Sequence, residues 1–148
     1  MSGGAVRYEL EDFLKMARHP AAVKWERKLK KVFDRIDDRL ENRYGKKYPL
    51  HPARSRRNTT SNKEDDGLFN VGAAFTAGFG SELGPGYVLQ VQMSTLSDVP
   101  DDVREIIESE VVKLLQDELP KVFPERELKV ARDGRVYKIY GDLSLGGV

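Results

Sequence analysis

Between residues 68 and 79 the chain alternates. Phe69, Val71, Ala73, Phe75, Ala77 and Phe79 take one set of positions, and Asn70, Gly72, Ala74, Thr76 and Gly78 take the other. Successive side chains of a strand point to opposite faces, so the pattern predicts a strand with one bulky apolar face and one nearly bare face. The bulky face must be covered by a second layer, and the bare face needs a reason. Glycine inside a strand weakens it and marks a bulge, a bend or a close approach by another backbone or a ligand. After SELGPG the alternation resumes, with Tyr87, Leu89, Val91 and Met93 on one side and Gln90, Gln92 and Ser94 on the other. The two segments read as a hairpin whose loop is longer than two residues, and that turn accounts for Gly80, Gly84 and Gly86.

Helices supply the covering layer. Leu10, Phe13, Leu14 and Ala17 fall at helical spacing ahead of Pro20. Beyond it, Ala22, Trp25, Leu29, Val32, Phe33, Ile36 and Leu40 recur in steps of three and four, with Gly45 as the stop. This stripe reads as core, because it is too short for a coiled-coil seam. From Lys46 to Asp66 periodicity disappears, and two prolines, a basic cluster and NTTSNKEDD predict a long, flexible surface loop. A further helix is predicted with Asp98 as its cap and Pro120 at its end, burying Val103, Ile106, Ile107, Val111, Leu114 and Leu115. Asp133-Gly134 is a hairpin signal. A two-residue turn there pairs Val130 with Tyr137 and Leu128 with Ile139 on one side, and Ala131 with Val136 and Lys129 with Lys138 on the other.

The order ααββαββ predicts a single α+β domain over residues 1–148. Its parts are a helical segment 1–45, the basic loop 46–66 and a ββαββ segment 67–148. The expected architecture is a four-stranded, mainly antiparallel sheet of two hairpins with helices packed on one face.

Composition narrows the chemistry. The chain has no cysteine, which removes disulfides, thiolate metal sites and thiol nucleophiles, and its only histidines are His19 and His51, so no metal site is expected. It has no apolar run long enough to cross a bilayer, and its N-terminus lacks an apolar signal core, so a cytoplasmic location and no membrane partner are expected. The glycines near residue 80 precede a strand rather than a helix, which excludes a phosphate-binding loop of the usual kind. Neither histidine stands in a recognisable triad, and Glu64, Asp65 and Asp66 read as a solvated turn rather than a cation site. No cofactor is indicated, and catalytic residues are not identifiable. An enzyme acting on a small anion, clamped by the arginines, lacks a visible base.

The net charge of +1 hides an uneven layout, since Arg43–Arg57 carries six basic residues and no acid, whereas Asp101–Glu118 carries seven acids and two bases. Two binding surfaces follow. Gly72, Ala74, Thr76 and Gly78 strip one sheet face of bulk, which suits close contact with a protein partner or a second copy in a homo-oligomer. Alternatively, Arg54, Arg56, Arg57 and His51 border that face, which also carries Asn70, Gln90, Gln92, Lys129, Lys138 and Tyr140, as a platform for phosphate or nucleic acid. That platform lacks the stacked aromatics on which RNA-binding sheets rely. The favoured expectation is a binding or interaction module rather than a catalyst.

Overall fold

The apolar stripe of the long helix does what its spacing predicts. In the computed structural model, which describes residues 20–143, helix α1 spans Pro20–Tyr44 and buries Trp25, Leu29, Val32, Phe33, Ile36, Leu40 and Tyr44. The helix expected over Leu10–Ala17, and His19, lie outside the described residues. Helix α1 ends at Tyr44, just before Gly45 as expected, and Gly45 is not in a left-handed conformation. A β-carbon there would sit 2.5 Å from the Glu41 carbonyl oxygen.

Strands β1 (Phe69–Thr76) and β2 (Gly86–Met93) form the first hairpin, and β3 (Leu128–Asp133) and β4 (Val136–Gly141) the second. Helix α2 (Asp101–Val122) connects them, and the antiparallel sheet has the order β1-β2-β4-β3. Phe69, Val71, Tyr87, Leu89 and Ile139 meet the α1 stripe and Ile107, Val111, Leu115 and Leu119 of α2 in one core. Trp25 packs edge-on against both Tyr87 and Phe123, with ring centroids 5.5 and 4.3 Å apart. The result is the expected α+β arrangement, a four-stranded antiparallel sheet with helices. Among the described residues, no helix is long and apolar enough to cross a membrane.

Several local expectations are corrected. Strand β1 ends at Thr76, three residues short of the alternating pattern, and Phe79 is 56% exposed. Gly78 belongs to the turn, where its φ of 76° and the Gly84 carbonyl packed against it leave no room for a β-carbon. The second hairpin turns on Gly134-Arg135, so Asp133 pairs with Val136 and Val130 with Ile139. Gly134, at φ 65°, takes the first central position, the one for which a type II′ turn favours glycine. The register slides by two residues rather than one, which preserves every expected face.

Helix α2 takes Pro100 as its N-cap, without a side-chain cap bond, and runs through Pro120 to Val122. Asp101 and Asp102 put negative charge in its first turn, where the helix dipole favours it. Of the residues expected in the core, Ile107, Val111 and Leu115 are buried, Val103 and Leu114 are half-buried and Ile106 is 60% exposed, while Val112 and Leu119 are buried without having been expected.

The two charged stretches partly answer one another inside the molecule. Arg43 pairs with Glu110, and the Tyr44 hydroxyl donates to the same carboxylate at 2.8 Å.

Candidate functional site

The face of the sheet turned away from the core residues is built from alternate positions on all four strands. Register sets Asn70 opposite Gln92, Gly72 opposite Gln90 and Ala74 opposite Val88. In the second hairpin Lys129 stands opposite Tyr140 and Ala131 opposite Lys138, and the hairpins join at Val88 and Lys138. Ala74, Gln90, Gln92 and Lys129 are exposed, whereas Gly72, Thr76 and Tyr140 are half-buried. The Asn70 amide lies 3.5 Å from Gln92 Oε1, the outer limit of a hydrogen bond.

Lys138 is on this face but is only 1% exposed. Its Nζ donates to Asp133 Oδ2 at 2.7 Å, Ser81 Oγ at 3.0 Å and the Gly84 carbonyl at 2.8 Å. An ammonium carries three hydrogens, and these acceptors use them all, so no donor is left for an anion. Ser81 also donates to Asp133, at 2.6 Å. Bonds from Lys138 and then Ser81 hold the Asp133 carboxyl below its ordinary range. The cluster folds the β1–β2 loop down over the sheet. Gly86, expected in the turn, opens β2 instead. A β-carbon there would clash first with the backbone carbonyl of Ile139 and would lie 2.8 Å from the Lys138 stem, so the glycine allows β2 to approach β4 closely.

The basic loop is fastened elsewhere. The Arg54 guanidinium donates to the carbonyls of Gly67, Glu64, Asp66 and Phe69, at 2.6–3.3 Å. Arg57 reaches α1, donating to Asn42 Oδ1 at 2.8 Å and to Asp38 Oδ1 at 3.3 Å. Asp66, buried at 2% exposure, accepts from the Thr60 amide and hydroxyl, which outweigh its burial and hold its carboxyl below the usual range. His51 uses Nδ1 to accept the Ala53 amide at 3.0 Å. Arg56 is exposed. Arg54 thus sits at the β1 edge and Lys129 on β3 at the other edge, three strand spacings or about 14 Å across the sheet. The two halves of the expected cationic platform are not brought together.

Sequence reasoning missed the acids under this loop. Glu41 and Asp37 are 6% and 4% exposed. Glu41 Oε1 accepts the Phe69 amide at 2.8 Å, yet burial pushes its carboxyl up. Among the described residues, no hydrogen-bond donor reaches the Asp37 carboxyl. Burial first, then the adjacent Glu41, push its pKa up to about 7. Asp38, by contrast, is held down by Lys63 and Arg57 against its own desolvation. The signal was present in the spacing. Asp37 follows Phe33 by four residues and precedes Glu41 by four, which places both acids beside the apolar stripe.

A family model described as "Uncharacterised protein" matches residues 20–141. A protein of Borreliella burgdorferi, described in the same way, is 38% identical over 106 residues, which make up 72% of this chain and 83% of that relative. No solved structure matches. The matched span begins at the first residue of α1 and ends at the last of β4, and the chain belongs to that family of uncharacterised proteins.

Proposed function

We propose that the protein is an interaction module whose open sheet face meets the same face of a second copy. The observation that carries this reading is the register of the sheet. It sets Gly72 against Gln90 and Ala74 against Val88, a flat strip of small and amide side chains, while Lys138 is neutralised by Asp133 beneath the β1–β2 loop and Lys129 is exposed on the far strand. Small residues allow close approach. The amides of Asn70, Gln90 and Gln92 each carry both a donor and an acceptor, so two identical faces can satisfy one another across a two-fold axis, which a row of like charges cannot do.

Two strands of eight residues and two of six give a face of at most roughly 440 Å² per copy. That is toward the lower end of specific interfaces, so association is weak and concentration-dependent. Phosphate or nucleic-acid binding through the basic loop is less well supported, because Arg54 and Arg57 are spent on internal acceptors.

Sedimentation equilibrium tests the reading. Dimer is expected to grow in at tens of micromolar protein, and Ala74→Arg, at an exposed position, is expected to abolish it without changing the circular dichroism spectrum. A strict monomer at about millimolar concentration sinks the proposal.

A further inference from the structure

Lys24 and Lys28 stand one turn apart on α1, and Lys121 in the last turn of α2 and Arg126 just beyond it face the same hollow. The hollow has a volume of about 510 Å³, and its apolar wall includes Trp25 and Phe123, the edge-on pair described above. Four cations thus converge on it with one acid, Glu125.

A structural explanation covers only part of this charge. The C-terminal end of a helix carries about half a unit of negative charge, which accounts for a cation such as Lys121. Two lysines at positions i and i+4 repel each other and slightly disfavour the helix that holds them. Among the described residues, none of Lys24, Lys28 and Lys121 has an ion-pair partner, unlike Arg57 and Lys63, which are matched by Asp38. The Arg126 guanidinium lies 5.9 Å from the Trp25 ring centroid and donates to the Asp142 carbonyl at 3.3 Å.

We propose that this hollow is a binding site for a small phosphate-bearing anion, a phosphate monoester or diphosphate. Three lysines without ion-pair partners among the described residues, against Glu125 alone, call for a ligand with about two negative charges. Lysines give mobile point charges to phosphoryl oxygens, and the volume is that of a small-molecule site. The site lies in the helical layer and is independent of the open sheet face.

Trp25 is the chain's only tryptophan, so its emission reports on this hollow. The full chain is titrated with pyrophosphate at constant ionic strength. The emission is expected to change saturably with a Kd below about 1 mM, and Lys28→Glu/Lys121→Glu is expected to weaken binding by at least about tenfold. The charge-matched variant Lys46→Glu/Lys113→Glu, at exposed positions elsewhere, retains wild-type affinity, and thermal melts establish that both variants fold. Absence of saturation at about 10 mM, or equal losses in both variants, overturns the site. Co-sedimentation with phosphatidic acid vesicles alongside no response to free pyrophosphate overturns its assignment to a soluble ligand.

Discussion

The carboxylate of Glu41 on α1 accepts the backbone amide of Phe69, the first residue of β1, at 2.8 Å in a fully buried contact. The bond fixes where the first strand starts relative to the helix that covers it. Gly67 completes the arrangement. It holds a φ of 73°, and a β-carbon there would meet Glu41 Oε1 at 2.5 Å.

Glu41→Ala leaves the buried Phe69 amide without an acceptor and is expected to cost about 2–4 kcal/mol. Glu41→Gln keeps an acceptor oxygen and sheds a desolvated charge, so it is expected to stay within about 1 kcal/mol of the wild type. Gly67→Ala combines a strained φ with the clash and is expected to cost at least about 1–2 kcal/mol. Urea denaturation midpoints distinguish the three. Equal losses for Glu41→Ala and Glu41→Gln would show that the charge, rather than the acceptor, is what matters.

Asp37 sets the pH dependence. With its pKa pushed from 3.8 up to about 7, the folded protein holds a proton between those limits that the unfolded chain has released. Stability therefore falls as pH rises through that window and levels off above it. The groups bearing on Asp37 are Glu41, Asp38 and Asp34, which raise its pKa, and Lys63, which lowers it. Asp38 and Asp66, whose carboxyls are held down, act in the opposite sense and cost stability as the solution becomes strongly acidic. A pKa unit corresponds to about 1.4 kcal/mol, so a loss of roughly 2 kcal/mol is expected between about pH 5 and pH 8. Asp37→Asn is expected to flatten that slope. A variant that keeps the wild-type slope would assign the proton to another group.

The layers of the fold were legible because periodicity reports which face of an element is buried. The stripe from Trp25 to Leu40 and the alternation from Phe69 to Phe75 both identified core residues. The hairpin faces also survived a wrong register, since sliding Val130 from Tyr137 to Ile139 moves it by one full pleat. Partnerships at long range were not legible. Lys138 looked like a surface cation because strand alternation places it on the open face. Only the fold brings Ser81 and Gly84 to its ammonium, from more than 50 positions away. Arg54 likewise reads as free charge in a basic run, while its four carbonyl partners become acceptors only once the loop has closed.

Lys138→Met tests the buried ammonium. The methionine keeps an apolar stem above Gly86 and deletes three donors, so a loss of about 1–3 kcal/mol is expected. The sharper readout is Asp133. Its carboxyl is held down first by Lys138, and in the variant its NMR titration is expected to move up toward the ordinary aspartate range. An unmoved Asp133 would mean that Ser81 alone accounts for the shift.

Arg54→Lys tests how the loop is held. Lysine keeps the charge, but a compact ammonium on a flexible stem does not reproduce a planar fork spread over four carbonyls. Cleavage within residues 54–66 by a dilute protease is expected to rise by about tenfold or more, as the segment opens locally at a lower free energy than the core. Arg56→Ala, at an exposed position, is expected to leave cleavage unchanged. The same pair separates fastening from anion binding. If the arginines served a phosphate backbone, Arg54→Lys would preserve most nucleic-acid affinity at low salt and Arg56→Ala would reduce it, with little effect of either on proteolysis. The geometry predicts the reverse, with protection lost through Arg54 alone and no change in nucleic-acid affinity through Arg56.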